Sequence, residues 1–112
     1  MFAINDNVFV LVFDDEDNMH KIDLKDVLCI RRDEKTRKII IATDTGQYYL
    51  PSTMKHLDDF FSPRGFFQID RNKIINISKI DNFRYNEITV NDSVYTVATR
   101  KRKELFEILE SN

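Results

Sequence analysis

The stretch Phe66-Phe67-Gln68-Ile69-Asp70-Arg71-Asn72-Lys73-Ile74-Ile75-Asn76 places two short apolar runs on either side of a polar, basic turn. Short runs rich in β-branched and aromatic residues, bounded by polar residues, are typical of β-strands. We therefore predict strands over residues 66–69 and 73–77. The turn between them carries Arg71, Asn72 and Lys73.

Similar runs occur on both sides of this unit, and each is separated from the next by turn residues. Asp44-Thr45-Gly46 predicts a hairpin, and Pro51 ends a strand because it cannot donate to a ladder. Eight further strands are predicted over residues 8–13, 19–24, 27–31, 38–43, 47–50, 80–83, 87–90 and 93–97. The pattern is that of a mainly β domain with ten short strands.

Two helices complete the prediction. Ser52 is expected to cap a helix over residues 53–61, whose apolar residues Met54, Leu57, Phe60 and Phe61 form one stripe. Thr99 is expected to cap a second helix at the end of the chain. Its buried residues are predicted to be Leu105, Phe106, Ile108 and Leu109.

The composition fits one globular domain that spans residues 1–112, with 42% hydrophobic residues. The longest apolar run, residues 8–13, is too short to cross a bilayer. No basic stretch precedes an apolar one at the N-terminus, and Cys29 is the only cysteine. We therefore expect a cytoplasmic protein without disulfides, in which Cys29 is a buried small hydrophobe.

The charge is unevenly distributed, although the net charge is only −2. Between Arg64 and Lys103, nine Lys or Arg residues oppose four acids, which leaves +5, and the rest of the chain carries −7. This asymmetry predicts one basic face on a weakly acidic molecule.

The last helix has its charges in the reverse of the usual order. Four cations, Arg100, Lys101, Arg102 and Lys103, come first, and three glutamates follow. The helix dipole favours acids at the start, and each misplaced surface charge costs about 0.3–1 kcal/mol. Either the cations are an ordinary solvated run, or they are retained because a phosphate backbone docks there.

Catalytic signals are absent from the sequence. Only Gly46 and Gly65 occur, so no glycine-rich phosphate loop is possible. His20 and His56 are far apart and have no recognisable catalytic partner, and a single cysteine cannot complete a zinc site. We expect no enzyme activity, no metal, no cofactor and no small-molecule substrate.

Three basic turns are the candidate binding elements. We call them loop A (residues 33–38), loop B (residues 70–73) and loop C (residues 99–103). Each is ordinary by itself. Together they can form a row of contacts on one edge of a β scaffold, because rigid strands hold the loops where binding residues concentrate.

The sequence resembles the LytTR-type DNA-binding domains of bacterial transcriptional regulators, from about Asn7 to Leu109. The stretch from Phe66 to Asn76 is similar to the family's phenylalanine, arginine, hydrophobic, histidine, arginine-serine, hydrophobic-valine-asparagine signature. Val97-Ala98-Thr99-Arg100-Lys101-Arg102-Lys103 resembles its valine-serine-arginine-arginine segment. Asp26-Val27-Leu28-Cys29-Ile30 and Asp44-Thr45-Gly46-Gln47-Tyr48-Tyr49-Leu50 resemble the strand before its first contact loop and the following hairpin.

The resemblance implies an elongated, mostly antiparallel β fold whose inter-strand loops enter successive major grooves of double-stranded DNA. By position, base contacts fall near Arg37, at Arg71 and Asn72, and at Arg100. Lys73, Lys101 and Arg102 would contact phosphates, and Lys38 and Thr99 belong to the same predicted set. A homodimer on repeated half-sites is plausible, because one module has a small interface.

The sequence departs from the family pattern at two positions. Asp70 stands where histidine is usual, and Asn72 where serine is frequent. Asp70 can orient Arg71 or accept a hydrogen bond from a cytosine amino group, and Asn72 can pair with adenine. Asn76 is expected to be structural and to bond backbone groups beside loop B.

Two other classes of function stay open from the residues alone. A protein-interaction module on the same scaffold could use Tyr48, Tyr49 or other exposed aromatic residues to bind a sister regulator or an inhibitor. Enzyme activity is the third hypothesis. For the DNA-binding reading, the chain is either a short stand-alone regulator or an excised output domain.

Overall fold

A computed structural model describes residues 8–111 and has ten β-strands and two α-helices in that range. The predicted mainly β class is confirmed. Seven strands form one antiparallel sheet in the order β2-β1-β5-β4-β3-β7-β6, and three form a second sheet in the order β10-β9-β8. Their bounds are β1 Phe9–Phe13, β2 Met19–Asp23, β3 Val27–Arg32, β4 Ile39–Thr43, β5 Gly46–Leu50, β6 Phe66–Asp70, β7 Lys73–Asn76, β8 Ile80–Arg84, β9 Glu87–Val90 and β10 Ser93–Thr96.

The molecule is longer in one direction, with principal dimensions of 40 × 33 × 26 Å. Asn7, where the family resemblance begins, lies outside the described residues. None of the helices in residues 8–111 is long and apolar enough to cross a membrane. Within the same range, no three His, Cys, Asp or Glu side chains gather closely enough to hold a metal ion.

The large sheet separates two hydrophobic cores. On one face, helix α1 (Met54–Phe61) buries Met54, Leu57 and Phe61 against the sheet. On the other face, the small sheet and helix α2 (Arg102–Ser111) cover strands β3, β6 and β7. These three strands, which lie together at one end of the sheet, are apolar on both faces, and this explains their nearly continuous hydrophobic runs.

A register shift between Val27 and Cys29 changes which residues of β3 point toward each of the two cores. Because of this shift, Leu28 and Cys29 both belong to the second core, whereas Val27 and Ile30 belong to the first. The predicted burial of Cys29 is confirmed, since it is 1% exposed. Its Sγ lies 3.4 Å from the Tyr95 hydroxyl, and burial raises the pKa of the thiol.

The starts of both helices differ from the prediction. The N-cap of α1 is Thr53, not Ser52, because the Thr53 hydroxyl accepts a hydrogen bond from the backbone N–H of His56. Thr99 is not a cap either. A 3₁₀ turn, Thr99–Lys101, follows Ala98, has no side-chain cap, and leads into α2 at Arg102.

The prediction that α2 buries Phe106 is wrong. Phe106 is 44% exposed, whereas Leu105 is fully buried, and Ile108 and Leu109 pack at the margin of the second core. Adjacent residues on a helix point about 100° apart, so a helix that is seated through Leu105 turns Phe106 toward solvent.

Candidate nucleic-acid interface

Loops A and B lie side by side because the strands that carry them are neighbours in the large sheet. Strand β3 enters loop A, and β7 leaves loop B, with Arg31 paired to Lys73. The ladder extends into loop B, since the backbone N–H of Arg32 donates to the carbonyl of Asn72 across 3.0 Å. Because β3 and β7 are hydrogen-bonded to each other, they hold loops A and B side by side at the same end of the sheet.

Loop C is joined to the other flank of loop B. The backbone N–H of Ala98 donates to the carbonyl of Ile69 across 2.8 Å, directly before loop B begins. The N–H of Val97 donates to Asn86 across 2.6 Å, which places the β8–β9 turn next in line. Three backbone bonds therefore connect loop A, loop B, loop C and the β8–β9 turn into one row.

The fold of loop A depends on Asp33. Its carboxylate accepts hydrogen bonds from the hydroxyl and the backbone N–H of Thr36, at 2.7 and 3.2 Å. These bonds lower the pKa of Asp33. The N–H of Arg37 donates to the Asp33 carbonyl across 2.7 Å, and Arg37 adopts a left-handed conformation with φ 63°. Such a conformation usually selects glycine or asparagine, so an arginine there has a backbone cost.

The fold of loop B depends on Asp70. One of its carboxylate oxygens accepts from the backbone N–H of Asn72 at 2.7 Å, and the other lies 3.4 Å from the Lys73 ammonium. The first role considered for Asp70, orienting Arg71, does not match these contacts, and a hydrogen bond to a cytosine amino group stays a prediction. Its carboxylate bonds the loop backbone and Lys73, and no bond to Arg71 occurs in the described part of the chain.

A cleft of about 560 Å³ separates loop A from loop B. Its lining brings together three residues from the predicted site, Arg37, Arg71 and Asn72, and adds Arg32 and Glu34. The predicted residues Arg37 and Arg71 are thus on one side of the molecule. Arg100 follows Ala98 by two residues and is exposed on loop C, at the far flank of loop B.

Comparisons with known proteins show the family of the chain. The family model of the LytTr DNA-binding domain matches residues 17–110. The chain belongs to the LytTr DNA-binding domain family. A structure described as the LytTr DNA-binding domain of a response regulator from Bacillus cereus is similar, with a TM-score of 0.77 and 10% sequence identity. The match covers 90% of this chain and 95% of that one. A search of curated proteins found no match.

Family membership confirms the expected elongated β fold and identifies the chain as a DNA-binding domain rather than a member of an enzyme family. At 10% identity, the likeness to the Bacillus cereus structure shows the fold alone. The roles of individual side chains in this LytTr domain therefore depend on its own geometry.

The seven cations of the predicted site in this LytTr domain fall into two groups. Three arginines, Arg37, Arg71 and Arg100, are exposed, and in residues 8–111 no hydrogen bond or ion pair engages their guanidinium groups. Four others are held by neighbours. Lys38 lies 5.0 Å from the centre of the Tyr49 ring, Lys101 lies 5.6 Å from that of Phe67, Lys73 pairs with Asp70, and Arg102 donates to the Tyr85 carbonyl at 2.8 Å.

Thr99 lies in a second depression, at the junction of loop C and the β8–β9 turn. Phe83, Tyr85, Arg102 and Phe106 share its lining. Because Thr99 occupies the first position of a 3₁₀ turn and not a cap, its hydroxyl is not committed to capping.

The structural role of Asn76 is confirmed, but its location differs from the prediction. Asn76 is fully buried, its amide donates to the Val27 carbonyl at 2.9 Å, and its oxygen accepts two bonds from Ser78. These contacts are at the end of β7 opposite to loop B. Asn76 therefore fastens the start of β3 to the sheet and does not support the contact loop directly.

Of the aromatic residues through which a protein-interaction module could bind a partner, Phe9, Tyr85 and Phe106 are exposed, whereas Tyr48 and Tyr49 are half-buried. The Tyr48 ring packs at 5.1 Å from His20, and the neighbouring Asp15 carboxylate raises the pKa of Tyr49.

Sequence reasoning missed Arg32 and Glu34 as residues of the candidate site. Arg32 is the last residue of β3, and Glu34 is the second residue of loop A. Their proximity to loop B follows from the pairing of β3 with β7, which joins residues more than forty positions apart. No local pattern in the sequence contains this information.

Proposed function

We propose that this LytTr domain is the output domain of a transcriptional regulator and recognises a specific sequence in double-stranded DNA. The observation that carries the proposal is the row of basic loops tied together by the Arg32–Asn72 and Ala98–Ile69 backbone bonds. A row of this kind presents several cationic side chains from rigid strand ends to one extended partner. The major groove, about 12 Å wide, admits such protein elements.

The unengaged arginines are suited to reading bases. An arginine presents two parallel donors to the O6 and N7 acceptors of guanine, and each good pair contributes about 1–3 kcal/mol of discrimination. We assign this role to Arg37, Arg71 and Arg100. Asn72, beside Arg71 in loop B, is suited to the N6 and N7 atoms of adenine in the same way.

The cations held by neighbours are suited to the phosphate backbone. We assign phosphate contacts to Lys38, Lys73, Lys101 and Arg102, with the Thr99 hydroxyl as an additional donor. Phosphate contacts set register and orientation without reading sequence. Neighbours such as Phe67 and Tyr49 restrict these side chains before DNA arrives, which reduces the entropy lost on binding.

A single domain of this size offers a small interface, so we further propose that two copies bind repeated half-sites. Specific protein–DNA interfaces bury about 1,000–2,500 Å² of protein surface, and single modules reach only the lower part of that range. Two adjacent copies would double the contacts without changing the fold of either.

Selection of bound sequences from random duplex DNA tests both binding and specificity. We expect the wild-type domain to enrich one motif, and the variant Arg71→Ala/Arg100→Ala to enrich none while it keeps its circular dichroism spectrum. The matched control is Lys25→Ala/Lys79→Ala, which removes the same charge. Lys25 precedes β3 and Lys79 follows β7, so both lie beyond the strand ends opposite to loops A and B, and β3 by itself spans about 20 Å.

The control variant should enrich the wild-type motif. If the Arg71→Ala/Arg100→Ala variant also retained that motif with unchanged affinity, the assignment of loops B and C to the interface would be wrong. If the wild-type domain enriched no motif, sequence-specific recognition itself would be refuted.

A further inference from the structure

The cleft between loops A and B contains one acidic side chain among its cations. Glu34 shares this lining with Arg32, Arg37, Arg71 and Asn72. A carboxylate that lines the same cleft as three arginines lowers the positive potential that attracts DNA, and so weakens the sequence-independent part of binding. Attraction to phosphates therefore does not explain why an acidic residue lies in this cleft.

The Glu34 carboxylate differs from the two other acids of these loops. Asp33 is bonded to Thr36, and Asp70 is bonded to Asn72 and paired with Lys73. Glu34 is exposed, and within residues 8–111 its side chain has no hydrogen bond or ion pair. It is the acid in this cleft whose acceptor oxygens are free for a ligand.

Two amino groups in the major groove can donate to a carboxylate, cytosine N4 and adenine N6, but the adenine amino group lies beside the N7 acceptor, which repels a carboxylate. The N4 amino group of cytosine is a donor without an adjacent acceptor on its base, whereas guanine offers the O6 and N7 acceptors that suit arginine. A cleft that presents both a free carboxylate and free guanidinium groups matches both halves of a cytosine–guanine pair.

We propose that this cleft is a subsite for a cytosine–guanine pair, in which the Glu34 carboxylate accepts a hydrogen bond from the cytosine N4 amino group. Arg37 or Arg71 donates to the guanine. This assignment rests on the DNA-binding function proposed above and adds one residue that determines its specificity. It also moves the role of cytosine acceptor from Asp70, which is bonded within its own loop, to Glu34.

Selection from random duplex DNA with the Glu34→Ala variant tests the subsite. The wild-type motif should contain an invariant cytosine, and Glu34→Ala should lose preference at that position alone by about five- to 100-fold. Glu110→Ala is the matched control, because Glu110 is exposed near the end of α2 and carries the same charge. That control should keep the cytosine preference.

A base analogue tests the hydrogen bond itself. In a duplex with 2-pyrimidinone in place of that cytosine, the 4-amino group is missing and the rest of the ring is retained. Wild-type affinity should fall by the same five- to 100-fold factor, whereas the Glu34→Ala variant should bind both duplexes equally.

Two outcomes would overturn the subsite while leaving the DNA-binding function intact. One is that Glu34→Ala enriches the wild-type motif unchanged. The other is that it strengthens binding to every duplex by one common factor, which would make Glu34 only a repelling charge. A wild-type domain that selects no motif would instead refute the proposed function, and this subsite with it.

Discussion

The side-chain amide of Asn76 donates to the backbone carbonyl of Val27 across 2.9 Å, and both residues are fully buried. The same side chain caps the 3₁₀ turn Ile77–Lys79 through two bonds from Ser78. One residue thus joins the start of β3 to the end of β7, the two strands whose other ends carry loops A and B. Asn76 therefore affects the interface indirectly, by holding together the two strands that position loops A and B.

Asn76→Ala should lower the free energy of unfolding by about 2–4 kcal/mol. The change leaves the Val27 carbonyl buried without its partner, at a cost of about 1–3 kcal/mol, and removes an N-cap, which costs about 1 kcal/mol more. Urea denaturation followed by circular dichroism measures the loss. Asn82→Ala, at an exposed position in β8, should change stability by less than about 0.5 kcal/mol. A loss below about 1 kcal/mol for Asn76→Ala would contradict this role.

Arg37 should show opposite effects on stability and on binding. Because φ is 63° at Arg37, Arg37→Gly relieves left-handed strain, and we expect it to stabilise the fold by up to about 1 kcal/mol. Arg37→Ala keeps the strain and should leave stability within about 0.5 kcal/mol of wild type. Both variants should weaken binding to the selected DNA by about 1–3 kcal/mol, measured by fluorescence anisotropy. Full binding by either variant would remove Arg37 from the interface.

Lys101→Ala should weaken binding to all sequences alike. If Lys101 contacts one phosphate, its removal lowers the slope of log affinity against log salt concentration by about 0.9. Titrations of a specific and a random duplex between about 50 and 200 mM salt measure the slope. Lys25→Ala, at the opposite end of β3, should leave the slope unchanged. A loss confined to the specific duplex would show that Lys101 reads a base.

Asp14 should make the domain less stable in acid. A hydrogen bond from His20 at 2.8 Å, with further bonds from the backbone of the β1–β2 turn, lowers the pKa of Asp14 to about 2 from its ordinary value of 3.8. The folded pKa lies below the unfolded one, so this stabilisation is present above about pH 4 and is lost as the pH falls toward 2.

The measurement for Asp14 compares urea midpoints at pH 7 and pH 3. Wild type should lose more stability between these values than Asp14→Asn, which has no carboxylate to protonate at this position. Asp44→Asn is the control, since Asp44 is exposed and its carboxylate has no hydrogen bond in the described chain. Equal losses for wild type and Asp14→Asn would contradict the assignment.

The sequence alone predicted all ten strands within one residue at each end, as in β7, predicted over 73–77 and observed over Lys73–Asn76. Strand periodicity and turn residues are local signals, and they suffice for this level of description. The helix starts were less predictable. Ser52 and Thr53 are both suitable caps, and only the backbone path decides which hydroxyl reaches the His56 N–H.

Local sequence patterns determined the chemistry of the loops. The resemblance to the LytTr family, and not the local patterns, implied base contacts at Arg37, Arg71 and Arg100. The local patterns indicated that basic residues lie between strands and that Cys29 belongs to the core. These properties depend on residue type and on neighbours within a few positions. They do not require knowledge of which strands pair.

Only the tertiary structure decided which loops are neighbours and which of their side chains are free. The pairing of β3 with β7 brings Glu34 to the same cleft as Arg71, and the Ala98–Ile69 bond places loop C on the far flank of loop B. It also shows that Asp70 is bonded within its own loop. Strand order and register depend on the packing of distant segments, and therefore no local sequence window contains them.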